Sequence, residues 1–117
     1  PNPHVIGWQI DNEYNSVSYD PETQRQFQAW LQAKYGTLEE LNARWSGAYW
    51  SEDYSDWAQI PLASGFHNPG LRLDFRRFIT HLYKTFQQEQ ADIIRDLLLG
   101  GEGTLDDIEL GNIEIEL

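Results

Sequence analysis

Val5-Ile6-Gly7-Trp8-Gln9-Ile10-Asp11-Asn12-Glu13-Tyr14 is an apolar run that breaks abruptly into three consecutive polar side chains, Asp11, Asn12 and Glu13. Val5, Ile6, Trp8 and Ile10 fall close together, and all but the tryptophan are β-branched. That pattern predicts a strand buried on both faces, as in a parallel sheet. The polar triplet then stands at the strand's C-terminal end, where α/β enzymes carry the side chains that do chemistry. A glutamate in that place is set for reaction rather than for solubility.

Outward from this stretch the local signals are mostly helical. Pro1-Asn2-Pro3-His4 is a turn-like lead, and His4 is expected on a surface loop. Asp20-Pro21 is a helix start, an N-cap acceptor followed by proline in the first turn. Phe27, Trp30, Leu31 and Tyr35 follow at helical spacing, so a helix over residues 21–35 is predicted to stop at Gly36. Thr37-Leu38-Glu39-Glu40 reads as a capping box opening a short amphipathic helix with Leu38, Leu41 and Trp45 on one side. Residues 46–60 are dense in aromatics (Tyr49, Trp50, Tyr54, Trp57), and Ser51, with Glu52 and Asp53 behind it, is expected to cap one further turn. After a loop over residues 61–70, Asn68-Pro69 repeats the cap-and-proline signal. It opens the longest helix, to about residue 99, on the order of 45 Å at 1.5 Å per residue. Its apolar stripe (Leu71, Phe75, Phe78, Ile79, Leu82, Phe86, Ile93, Ile94, Leu97) suits a face pressed on a sheet, with Arg72, Arg76, Arg77 and Lys84 on the other sides. Strand, helical excursion and long helix together form the pattern of one β/α unit of a (β/α)8 barrel with a large insertion in its upper loop, mostly helical in isolation.

The chain's 117 residues are too few for a whole barrel, which needs roughly 200 or more. Starting at Pro1, close before a buried strand, it is expected to lack its true N-terminus. Residues 1–99 are therefore read as part of a catalytic domain and residues 100–117 as a separate acidic tail. Beyond Gly100-Gly101 the tail carries Glu102, Asp106, Asp107, Glu109, Glu114 and Glu116, without a base, so it holds more than half of the net charge of -11. Its apolar residues alternate around Gly111-Asn112, which permits a small hairpin that would need a partner surface. The acidity makes nucleic acid and anionic membrane poor partners. No apolar run is long enough to span a bilayer and no signal peptide opens the chain, so a cytoplasmic protein is expected. There is no cysteine, hence neither disulfides nor thiolate metal sites.

Glycoside hydrolysis needs two carboxyl groups, one to protonate the leaving oxygen and one to attack or to activate water. Glu13 is the candidate proton donor, because burial after an apolar strand favours the neutral acid that must donate. Asn12 is suited to hydrogen-bond a sugar hydroxyl beside the reacting carbon. On spacing alone, Asn-Glu after a strand is a weak signal and is better read as two polar loop residues where the strand ends. Trp30, Trp45, Trp50 and Trp57 are potential sugar platforms, but helical periodicity places Trp30 and Trp45 in the core and leaves Trp50 and Trp57 open. His67 and His81 lack a second ligand at metal spacing, and Glu52-Asp53 and Asp106-Asp107 lack the spacing of a calcium loop and read as solvated charge.

The strings G-W-Q-I-D-N-E-Y (Gly7 to Tyr14), K-Y-G-T-L-E-E-L-N (Lys34 to Asn42), Y-W-S (Tyr49 to Ser51), Y-S-D-W (Tyr54 to Trp57) and N-P-G-L-R-L-D-F-R-R-F (Asn68 to Phe78) resemble glycoside hydrolase family 42 over about residues 3–97. The resemblance implies a retaining β-galactosidase with a β/α-barrel catalytic domain. It makes Glu13 the general acid/base, Asn12 the adjacent substrate contact, Gly7 to Glu13 the fourth barrel strand, and the region of Trp50 an insertion approaching the sugar. Some members bind zinc through cysteines just after this strand; residues 15–22 have none, so no metal and no cofactor is expected. The family's nucleophile is a second glutamate on a late strand, beyond this chain. Two readings follow: a catalytic-domain fragment that needs a galactoside and is inactive alone, or a non-catalytic, even engineered, helical scaffold or interaction module. Either would leave a barrel-facing surface open, so self-association or a complementing chain is expected.

Overall fold

The computed structural model describes residues 4, 6–10, 16–65 and 67–99. Among these the elements are α1 (Pro21–Tyr35), α2 (Leu38–Arg44), α3 (Gly47–Trp50), a 3₁₀ turn (Trp57–Gln59) and α4 (Pro69–Leu99). The chain forms two units, one of Val17–Ile79 and one of Pro1–Ser16 with Thr80–Leu117. Asp11, Asn12, Glu13 and residues 100–117 lie outside the described residues, and with them the expected hairpin.

In the first unit the starts of α1 and α2 and the stop of α1 fall where expected, although only the Thr37 half of the capping box forms. The Asp20 carboxylate accepts the Thr23 N–H at 2.7 Å, Pro21 occupies the first helical position, and Gly36 ends α1 at φ 76, where a side chain would be strained. Thr37 caps α2 by accepting the Glu40 N–H at 3.2 Å, while the Glu40 side chain pairs forward with Arg44 Nε at 2.7 Å. The Ser51 expectation is corrected. Ser51 closes α3 in the left-handed region at φ 55, whereas an N-cap needs extended backbone. The next turn opens instead at Asp56, whose carboxylate accepts the Ala58 N–H at 2.8 Å.

The core of this unit is aromatic. The Phe27 ring of α1 lies 5.4 Å from Phe75 and 5.3 Å from Phe78 of α4, with Trp30 6.0 Å from Phe78. Leu31, Leu41, Ile60 and Leu71 are fully buried around them. Each such side chain removed from water stabilises the fold by about 1.5–3 kcal/mol. Side-chain amides hold the intervening loops. Asn42 donates to the Tyr54 carbonyl at 2.8 Å and accepts its N–H at 2.9 Å, and Gln28 donates to the Ile60 carbonyl at 2.9 Å. Asn68, buried at the start of α4, donates to the Trp45 carbonyl and accepts the Gly70 N–H, both at 2.7 Å.

The second unit differs most from expectation. Residues 6–10 form no strand, and Ile6 is wholly exposed, with Trp8 at 47%. The apolar run is as expected in composition, but a parallel strand needs backbone partners on its flanks, and no strand is present among the described residues to supply them. The long helix runs over the predicted residues, yet its stripe is only half covered. Leu71, Phe75, Phe78 and Ile79 are buried, whereas Phe86, Ile93 and Leu97 are exposed, because no sheet is present among the described residues to receive them. No described helix is long and apolar enough to cross a membrane.

Candidate functional site

Asn12 and Glu13, the residues from which chemistry is expected, fall outside the described residues, so their site is approached from its flanks. On the C-terminal flank, Tyr83 of α4 donates its hydroxyl hydrogen to the Ser16 carbonyl, and the Ser16 hydroxyl lies 3.4 Å from the same phenol oxygen. Ser16 is therefore tied to α4. Tyr83 stands outside the apolar stripe, and its acceptor is a backbone atom 67 positions away, so no sequence pattern marks it.

Trp50, the candidate sugar platform, ends α3 and is 47% exposed. Its ring meets Tyr49 edge-on at 5.3 Å, and Tyr49 is itself 82% exposed. The pair is held out by a tight turn. Ser46 and Ser51 bracket α3 in the left-handed region, and the Glu52 N–H returns to the Gly47 carbonyl at 3.0 Å. Glu52 departs from the solvated reading, since its Oε2 is buried without a partner in the structure. Exposed aromatic faces of this kind suit stacking on the apolar side of a sugar ring. Trp45 is buried and Trp30 half-buried in the core, as their periodicity predicted, and Trp57 is half-buried at the 3₁₀ turn. His67 is half-buried in the loop before α4, and His81 is exposed on the helix surface. Among the described residues no group of three or more histidine, aspartate or glutamate side chains could hold a metal.

The polar cluster that composition did not reveal surrounds Asp74. This carboxylate is 1% exposed and accepts from Lys34 Nζ, from the Tyr35 hydroxyl at 2.5 Å, from Trp45 Nε1 at 2.9 Å and from Arg77 at 3.2 Å. Burial pushes the Asp74 carboxyl up, but the hydrogen bonds from Lys34, Tyr35 and Trp45 outweigh it and hold the group below the ordinary carboxylate value. Burial, and then donation to Asp74, push the Tyr35 phenol up to about 12. Lys34 also lies 5.1 Å above the Trp30 ring and 5.0 Å from that of Tyr35. The cluster floors a cleft of about 420 Å³, with Glu40 and Arg44 on its rim. Two carboxylates border the cleft, yet neither is suited to hydrolysis. Asp74 is held ionised by four donors, and Glu40 is paired with Arg44. The cluster therefore braces α1, the residue that caps α2, and α4.

Residues 1–100 match the family described as Glyco_hydro_42, β-galactosidase. The β-galactosidase BglY of Alicyclobacillus acidocaldarius is 37% identical over 99 residues, covering 82% of this chain and 14% of that protein. The β-galactosidase BbgII of Bifidobacterium bifidum is 32% identical over 107 residues, covering 85% of this chain and 16% of the relative. Among solved structures, the β-galactosidase of the psychrophilic Marinomonas ef1 superposes with a TM-score of 0.73 at 38% identity, over 81% of this chain and 16% of that one. The β-galactosidase of Bacillus circulans sp. alkalophilus does so with a TM-score of 0.69 at 34% identity, over 80% of this chain and 15% of that one. The chain thus spans about 15% of the length of the structures it matches. With its matched segment reaching from the apolar run of residue 5 through the whole of α4, the chain belongs to the glycoside hydrolase family 42 β-galactosidases.

Proposed function

We propose that this chain is the acid/base-bearing segment of a retaining β-galactosidase acting on terminal β-D-galactosides. The observation that carries the reading is the family match over residues 1–100, which contains the whole of Gly7-Trp8-Gln9-Ile10-Asp11-Asn12-Glu13-Tyr14. Residues 7–13 would become the fourth strand of a (β/α)8 barrel once neighbouring strands supply its ladder. Glu13 would protonate the glycosidic oxygen and then, as a base, activate water against the glycosyl-enzyme. Asn12 would bond a ring hydroxyl in the transition state, and Trp50 would lie against the sugar from the α3 turn. The nucleophilic carboxylate comes from polypeptide outside residues 1–117, so these residues by themselves do not turn over substrate. No cofactor or metal takes part in this scheme, and a cytoplasmic setting accords with it.

The purified 117-residue chain is expected to leave an aryl β-galactoside intact. Hydrolysis that disappears in the Glu13→Gln variant would show a complete site within the chain and overturn this reading. A non-catalytic helical module is the second reading, favoured by the aromatic core that Val17–Ile79 possesses on its own. It requires that joining residues 1–99 to the remainder of a family member restores no activity.

A further inference from the structure

Lys34, Arg44 and Arg77 bring three of the chain's eight basic side chains to one cleft of about 420 Å³. Only two carboxylates meet them there, Asp74 and Glu40, so the cleft carries a positive excess in a chain whose net charge is -11. Asp74 lies beneath the surface, 1% exposed, with its charge met by four donors. The two guanidinium groups stand in solvent instead, the Arg44 side chain 71% and that of Arg77 55% exposed. Arg44 spends only Nε on Glu40, at 2.7 Å, and Arg77 only Nη1 on Asp74, at 3.2 Å. Both terminal nitrogens of Arg44, and Nη2 with Nε of Arg77, are left to donate. A guanidinium fork takes an oxyanion through two parallel N–H bonds. The same cleft offers an apolar wall, since Leu73 lines it while 49% exposed and the half-buried Tyr35 ring lines it as well. An apolar lining with a few placed polar groups, at this volume, is the make-up of a small-molecule site.

We propose that this cleft binds a small organic anion, its oxyanion held by Arg44 and Arg77 and its apolar ring laid against Leu73 and Tyr35. The cleft belongs wholly to the unit of Val17–Ile79 and uses neither Asn12 nor Glu13, so the proposal stands or falls apart from the catalytic reading.

Benzoate, benzyl alcohol and inorganic phosphate, titrated separately into the isotope-labelled 117-residue chain, test it through the backbone amide signals of Gly70 and Leu73. Benzoate should move both signals saturably, and less tightly as salt is raised. Benzyl alcohol, which has the ring without the charge, should not saturate them, and phosphate, which has the charge without the ring, should bind more weakly than benzoate. Arg44→Gln and Arg77→Gln should each raise the benzoate Kd at least about tenfold. Arg25→Gln, on α1 but outside the cleft, should leave it unchanged. Arg44→Gln keeps all four donors to Asp74, so an otherwise unaltered spectrum separates lost binding from lost folding. The absence of a saturable benzoate shift overturns the proposal, as does an Arg44→Gln variant that binds benzoate unchanged. Benzyl alcohol matching benzoate would remove the oxyanion from the account, and phosphate matching it would remove the apolar wall; either result overturns the proposal too.

Discussion

Asp74 is a charge that the fold cannot leave unpaired, since four donors, from α1, from Trp45 at the end of α2 and from α4, converge on one buried carboxylate. Asp74→Ala would strand Lys34, the Tyr35 hydroxyl and the Trp45 N–H together, and should lower stability by about 3–5 kcal/mol in denaturant melts. A pH dependence follows from the direction of each shift. The Asp74 carboxyl is depressed in the folded state, so its contribution is present above the unfolded value near 3.8 and is lost as pH falls through the lower folded value. The Tyr35 phenol is raised from 10.0 to about 12, so the folded state holds its proton more tightly. Its contribution is complete below pH 10.0 and is lost as pH rises toward about 12, a decline that Tyr35→Phe should flatten. Glycine is required at position 70 for a steric reason, because a Cβ there would lie 2.6 Å from the Trp45 ring. Gly70→Ala should therefore cost about 1–3 kcal/mol, read as a lowered denaturant midpoint.

At the scale of elements, what was legible was what is local. Asp20-Pro21 with Gly36, Thr37, and Asn68-Pro69 each place a helix end through groups within a few residues of one another, and α1, α2 and α4 form where those signals stand. The run over residues 6–10 carries an equally clear composition but forms no strand, because a ladder is made with polypeptide elsewhere. The Asp74 cluster was not legible for a related reason. Its donors Lys34, Tyr35 and Trp45 are 29 to 40 positions distant, and neither charge pattern nor periodicity connects them. Tyr83 likewise declares itself only through its bond to Ser16. Phe78→Ala should cost about 3–5 kcal/mol in the unit of Val17–Ile79, because Phe27 and Trp30 both pack on that ring. Asp20→Ala, which removes only a cap, should cost about 1 kcal/mol, and thermal melts of the two variants check the contrast.

At the scale of the whole molecule, the family is established by the matched residues, and the chemistry assigned to Glu13 is the claim most in need of a direct measurement. The motif strings made the family legible in the sequence, and the proposed site at Asn12 and Glu13, with its need for a second carboxylate, rests on them. The decisive measurement is hydrolysis by the chimera that joins residues 1–99 to the remainder of the Bacillus circulans enzyme, with and without Glu13→Gln. Both are assayed on an unactivated β-galactoside and on an aryl galactoside with a good leaving group. An acid that protonates the leaving oxygen predicts a loss of about 10²–10⁴-fold on the unactivated substrate and a much smaller loss in forming the glycosyl-enzyme from the activated one. An equal loss on both substrates, or none on either, would contradict the role assigned to Glu13.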